Sequence, residues 1–203
     1  MIKNSNDILL LVQIASHIAS DALILTNEKI KEYKNRKFSP EKLYECILQS
    51  YLFCGFPAAI ESLKIFRQHF SDFLVKKSSY DPDKFKADGK INCKLIYKKN
   101  YKKLIENMNY FSPDLKEWMI IEGYGKVLSR KRLSLLEREY VNVSILCTRL
   151  YVNQLHSHMK GCIHLGASTE DLSELLMYIK DDISECNFNE AAHLLEKLRI
   201  KVQ

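Results

Sequence analysis

SLLEREYVNVSILCTRLYVNQLHSHMKGCIHLGASTEDLSELL, Ser134 to Leu176, reads as three helices in succession. Ser134 with Glu137, and Ser168 with Asp171, have the spacing of capping boxes, in which a hydroxyl and an acid satisfy each other's orphan backbone donors at a helix start. Leu136, Tyr140, Val143, Cys147 and Leu150 recur at helical spacing, and Gly166 stands where a left-handed residue ends a helix. The rest of the chain is punctuated in the same way. Ser39-Pro40-Glu41 and Ser112-Pro113-Asp114 each place a capping hydroxyl before a proline at the first helical position. Gly55 closes another apolar face, made by Leu43, Ile47, Tyr51 and Cys54. Only six glycines and four prolines punctuate 203 residues, and no alternating run stands out, so little sheet is expected. The expected fold class is all-α.

Composition narrows the classes of function. The 46% hydrophobic and 28% charged fractions are those of a globular chain. Thirty-one basic and 25 acidic side chains leave a formal charge of +6, and ten lysines lie between Lys76 and Lys103. Tyr80, Phe85, Tyr97 and Tyr101 interleave with them, but so do Asp81, Asp83 and Asp88. The run is read as a solvated face, and no nucleic-acid partner is expected. Six cysteines occur without a Cys-x-x-Cys pair, which argues against a structural zinc site or a dithiol. Free thiols on apolar helix faces suit a reducing compartment, and a cytoplasmic location is expected. Ile8 to Ile24 is apolar but interrupted by Gln13, His17 and Asp21. It is read as a buried first helix capped by Asn6 or Asp7, with no membrane span.

The two halves echo each other. Ser39-Pro-Glu-Lys-Leu-Tyr-Glu-Cys-Ile-Leu matches Ser168-Thr-Glu-Asp-Leu-Ser-Glu-Leu-Leu-Met after a shift of 129 residues. The expected organisation is a degenerate tandem repeat, with one helical unit over 1–75, a lysine-rich connection over 76–109 and a second unit over 110–203.

Two residues of the second unit invite a chemical role. The helical neighbours of Glu139 are Leu135, Leu136, Val143 and Leu146, so its carboxylate points towards the core. There it must be paired or hydrogen-bonded, since an isolated buried charge is far too costly. His158 falls with Leu155, Cys162 and Leu165 at the edge of an apolar face, whereas His156, Lys160 and His164 form a polar stripe whose two histidines are read as exposed. A histidine beside a buried carboxylate is a credible acid/base pair. An Arg–Glu brace between helices remains the structural alternative for Glu139, and a satisfied core residue that for His158. No third ligand lies near these two in sequence, so no metal is expected. Cys54-Gly55-Phe56-Pro57-Ala58-Ala59 reads as a tight corner between helices.

These residues carry a resemblance. Glu117-Trp-Met-Ile-Ile-Glu-Gly-Tyr-Gly-Lys-Val-Leu-Ser-Arg130, then Arg138-Glu139, then Gln154 to Gly161 and Gly166 to Glu174, resemble the carboxymuconolactone decarboxylase-like family, which belongs with the alkyl hydroperoxidase D-like fold. Leu48 to Ala59 is similar to that family's Tyr-x-Gly-x-Pro corner. The resemblance covers about half of the chain. It implies an oligomeric enzyme acting without a cofactor on a small carboxylated or lactone-type substrate. Glu139 would be the acid/base group, with His158 its partner or a group that orients the substrate. Arg138 would hold a substrate carboxylate, and Phe53, Gly55 and Pro57 would form the corner of the site. The sequence departs from the family pattern in three ways. The corner precedes the histidine block, Phe53 replaces the corner's tyrosine, and the dithiol of the peroxidase branch is missing. A lyase is therefore favoured over a peroxidase using Cys54 or Cys147, and a non-catalytic helical scaffold is the third possibility. The expected partners are a small molecule and a second copy of the chain.

Overall fold

The computed structural model describes residues 6–202, with side chains through Ile200. Among these the structure is helical, with no strand. Helices α1 (Asn6–Ala19), α2 (Leu23–Asn35) and α3 (Pro40–His69) form the first part. Next come α4 (Pro82–Tyr97), α5 (Tyr101–Phe111), α6 (Pro113–Trp118) and a π-helical segment, Met119–Val127. The last part holds α7 (Leu135–Arg149), α8 (Val152–His164), α9 (Thr169–Tyr178) and α10 (Glu185–Val202).

The caps read from the sequence are formed. Ser39 Oγ accepts from Lys42 N at 3.4 Å and Ser112 Oγ from Leu115 N at 3.1 Å. Both capping boxes close reciprocally, Ser134 with Glu137 and Ser168 with Asp171. Asn6 and Asp7, expected to cap α1, both lie within the helix as described, and the residues before Asn6 lie outside those described. Asp7 instead joins a bridge in which Lys42 Nζ sits 3.0 Å from Asp7 and 2.7 Å from Glu137, tying α3 to the starts of α1 and α7.

Gly55 divides α3. Its φ of 80° and ψ of 171° lie where L-residues are strained, so the chain makes helices over 40–54 and 56–69 with a corner between them. By length and composition alone α3 could cross a bilayer, with a mean hydropathy of 1.3. The break leaves neither half with the roughly 20 residues a span requires.

Most of the core is shared by α1–α3 and α7–α10, with Leu10, Leu11, Ile47, Val143, Ile145 and Leu172 fully enclosed. Residues 76–109, read as a connection between units, contain two helices. Of these, α4 lies along the π-helical segment and supplies Cys93 and Ile96 to a second core with Ile120, Tyr124 and Val127. Element starts also repeat 129 residues apart. Asn6, Leu23 and Pro40 open α1–α3, and Leu135, Val152 and Thr169 open α7–α9.

Candidate active site

Helix α7 enters at the Ser134 box, and its buried face carries Arg138, Glu139 and Asn142 side by side. All three side chains are wholly enclosed. From α8, His158 reaches back so that its Nδ1 lies 2.7 Å from Glu139 Oε2, and the histidine side chain keeps only 7% of its surface exposed. The acid and the histidine singled out in the sequence therefore form one buried pair.

The direction of every bond around this pair follows from one residue that can only donate. Arg138 Nη1 donates to Gln49 Oε1 at 3.0 Å. That leaves the Gln49 amide nitrogen to donate to Asn142 Oδ1 at 2.6 Å and to the Arg138 carbonyl at 2.7 Å. Asn142 must then turn its own nitrogen to Glu139 Oε1, at 2.9 Å. With Oε1 committed as an acceptor, Oε2 is free to accept from His158 Nδ1, which fixes the proton on that nitrogen. No described residue hydrogen-bonds His158 Nε2, which is the ring atom left to meet a substrate.

The same network runs outward. Arg138 Nη2 donates to Glu45 Oε2 at 2.9 Å and to the Arg130 carbonyl at 2.9 Å. Arg130 in turn grips both oxygens of Glu45 through Nε and reaches Ser78 through Nη1. Burial pulls the Arg138 guanidinium below its usual range, and the Glu45 carboxylate opposes this. An unbroken polar chain thus links the protein surface at Arg130 to the buried carboxylate of Glu139.

Aromatic rings wall the histidine. Phe53 meets it edge-on with centroids 6.0 Å apart, and Tyr97 does the same at 6.5 Å. Tyr124, on the π-helical segment, donates to the Tyr97 hydroxyl at 3.0 Å. Burial pushes both phenols well above their ordinary range, so neither carries charge at neutral pH. Behind the carboxylate, a Cβ on Gly161 would fall 2.7 Å from Glu139 Oε2, so only glycine leaves the pair its room.

Of the residues expected at the site, Glu139, His158 and Phe53 come together. Gly55 and Pro57 shape the corner just beyond Phe53. Arg138 lies one residue from Glu139 but is engaged by Glu45 and Gln49, with no exposed surface. The stripe of His156, Lys160 and His164, whose two histidines are expected to be exposed, is half-buried and lines a cavity of about 240 Å³ with Tyr97 and Ser157. Sequence reasoning passed over Glu45, Gln49, Asn142, Tyr97 and Gly161. A signal for the first two was present: Glu45, Gln49 and Phe53 recur every four residues, one stripe of α3. Among the described residues no cluster of three metal-ligating side chains occurs.

The buried thiols are poor nucleophiles. Cys46, Cys93, Cys147 and Cys162 are buried; burial pushes the first three up to about 12 and raises Cys162 well above its ordinary range. Burial also raises Cys54, although Arg149 beside it opposes the shift.

No family model matches the chain. Over 118 residues it is 23% identical to the protein named 4-carboxymuconolactone decarboxylase of Acinetobacter baylyi, spanning 58% of this chain and 88% of that protein. Over 150 residues it is 29% identical to Peroxisomal protein 2 of Schizosaccharomyces pombe, spanning 71% of this chain and 70% of that protein. The distant similarity to the Acinetobacter baylyi protein supports the carboxymuconolactone decarboxylase-like resemblance read from the sequence.

Proposed function

We propose that this protein is an enzyme of the non-dithiol, decarboxylase-like branch, acting by proton transfer on a small carboxylated or lactone-type substrate. The observation that carries the reading is the 2.7 Å hydrogen bond between His158 Nδ1 and Glu139 Oε2, with Nε2 left over. In this proposal the two residues exchange the roles expected from the sequence. Glu139 has both oxygens occupied and no exposure, so it positions and supports the imidazole, while His158 is the group that moves the proton. Arg138 is assigned to holding the network instead of a substrate carboxylate. Phe53, edge-on to His158, is proposed as a wall of the site, with Gly55 and Pro57 as the corner that sets its position.

In such a reaction the bond from carbon to the substrate carboxylate breaks and carbon dioxide leaves. The electron pair passes into the conjugated lactone carbonyl, and the resulting enolate takes a proton at carbon from protonated His158 Nε2. Glu139 stabilises the imidazolium that precedes this step, as a carboxylate against Nδ1–H does elsewhere. No cofactor enters this scheme. The thiol-dependent alternative is disfavoured by the raised pKa values of Cys147 and Cys54. The scaffold alternative called for a Glu139 neutralised by a tight arginine pair with no adjoining cavity, and of these the arginine pair is not formed, because the arginines are bound to Glu45.

The wider expectations fit this reading. The repeated element starts support a degenerate duplication. The position equivalent to Glu139 is Leu10 and that equivalent to His158 is Lys29, so one site is proposed per chain. Exposed Tyr110, Phe111, Leu115 and Trp118 form an apolar surface suited to a second copy. Free thiols favour a reducing compartment such as the cytoplasm. The test is carbon dioxide release from 4-carboxymuconolactone and related small lactones. The wild type should turn over, and His158→Asn and Glu139→Gln should each lose about 10²–10⁴-fold in kcat with the fold intact. Equal turnover in all three proteins would remove the assignment.

A further inference from the structure

Away from the buried pair, several chain segments converge on a second concavity that the proposed reaction does not use. Two adjoining hollows of about 570 and 470 Å³ share Tyr44, Val75, Lys76, Ser78, Arg130 and Lys131. Their size is that of small-molecule pockets. Cations arrive from every side: Lys76 and Lys77 from the segment after α3, Lys84 from α4, Lys126 from the π-helical segment, and Arg130 and Lys131 from the loop before α7.

Charge is only partly balanced there, with Lys126 paired to Glu122 at 2.7 Å. Glu45 faces the hollow but is gripped by Arg130 and Arg138, and Glu41 accepts from Ser39. Asp88 is the one further acid of the lining. Lys76, Lys77, Lys84 and Lys131 make no ion pair among the described residues. Lysines on an open helix face repel one another weakly through water. Cations gathered in a concavity repel more strongly, and an anion relieves them. The walls are also built. Arg130 is locked by Glu45 and spans to Ser78 Oγ at 3.0 Å. Lys126 Nζ lies 5.7 Å above the Tyr80 ring and 5.8 Å above the Tyr51 ring. Arg132, on the rim, is held at φ 90°, a strained conformation for a non-glycine residue of the kind that clusters at functional loops. Finally the cleft has an apolar part. Leu74 and Tyr80 line it while 84% and 64% exposed, beside Tyr44 and Phe85.

We propose that this cleft binds a small organic phosphate, an anion of at least two charges carrying an aromatic or apolar body. The lysines and the free faces of the Arg130–Arg132 loop take the phosphate, and Tyr44 and Tyr80 take the body. The site is independent of the Glu139–His158 chemistry, although Arg130 joins the two through the hydrogen-bonded chain.

Calorimetric titration of the full chain with ADP and with inorganic pyrophosphate tests this. ADP should bind saturably and more tightly than pyrophosphate, and added salt should weaken both. Lys76→Ala combined with Lys131→Ala should weaken ADP binding at least ~10-fold, the loss of charge-assisted contacts. Lys64→Ala combined with Lys102→Ala, two exposed lysines outside the cleft, should not. Tyr80→Ala should remove the preference for ADP over pyrophosphate. The proposal is overturned by the absence of saturable binding of either ligand, by equal loss in the two lysine pairs, by ADP and pyrophosphate binding alike, or by a single-stranded oligonucleotide binding more tightly than ADP. The last outcome would indicate a nucleic-acid surface.

Discussion

Arg138 Nη2 lies 2.9 Å from Glu45 Oε2, and neither side chain exposes more than 6% of its surface. The pair joins α7 to α3 at the point where the polar chain leading to Glu139 begins. Such a pair gives less net stability than its geometry suggests, because both ions have been stripped of water. Removing one partner is a different matter.

Glu45→Gln strands Arg138 in the interior with part of its charge uncompensated, and Arg130 loses its anchor in the same step. The expected cost is about 3–5 kcal/mol in urea-unfolding free energy. Combining Glu45→Gln with Arg138→Met should recover most of that loss, since an apolar chain of similar length needs no counter-charge. A single variant within about 1 kcal/mol of wild type would show that water reaches the guanidinium.

Gly161 carries two opposing effects when replaced by alanine. In an open helix the change would stabilise by up to about 1 kcal/mol. Here the new Cβ would meet Glu139 Oε2 and Ile96 Cγ2, each at 2.7 Å. Overpacking of that degree costs about 1–3 kcal/mol, so the clash wins. The least costly relief is to push the carboxylate away from His158. Gly161→Ala should therefore lower thermal stability modestly and reduce turnover of any accepted substrate by at least ~10-fold through lost alignment. A stabilised variant with unchanged turnover would contradict the placement of the carboxylate.

The parts of this arrangement that were legible in the sequence are local. Each cap needs only residues three apart, and Ser39, Ser112, Ser134 and Ser168 all cap as their spacing predicts. Glu139 and His158 stood out because each is polar on an apolar face. Their partners did not, because Glu45 and Gln49 lie about 90 residues earlier in the chain and meet Arg138 only after α3 packs on α7. Tyr97 was hidden among the lysines of 76–109, where charge masks the apolar face that α4 turns towards the π-helical segment. The widened turn at Met119–Val127 follows no 3.6-residue pattern, so nothing in the spacing points Tyr124 at Tyr97.

Thiol labelling separates the buried cysteines from the accessible ones. The nucleophile is the thiolate, and Cys46, Cys93, Cys147 and Cys162 are held as thiols at neutral pH by burial. In the native protein an aromatic disulfide reagent should react rapidly with exposed Cys186 and slowly with half-buried Cys54. All six should react once the chain is unfolded in denaturant. Rapid native labelling of Cys147 or Cys162, mapped by mass spectrometry, would reopen the thiol-based reading.

The same burial sets how stability depends on pH on the alkaline side. Tyr33, Tyr97, Tyr124 and Tyr140 and the four buried cysteines all have raised values in the fold. Unfolded, these groups titrate at about 8.5 for cysteine and about 10 for tyrosine. Below those values both states are neutral, and the full stability is present. Above them the unfolded chain releases protons that the folded chain retains, so the unfolded state binds fewer protons and stability falls as pH rises. The melting temperature should decline steadily from about pH 8.5 towards pH 12. Cys46→Ala combined with Cys93→Ala should shallow the first part of that decline, between about pH 8.5 and pH 10, whatever the substitutions cost at neutral pH. An identical slope in the double variant would mean that the two thiols ionise in the fold as readily as in the unfolded chain.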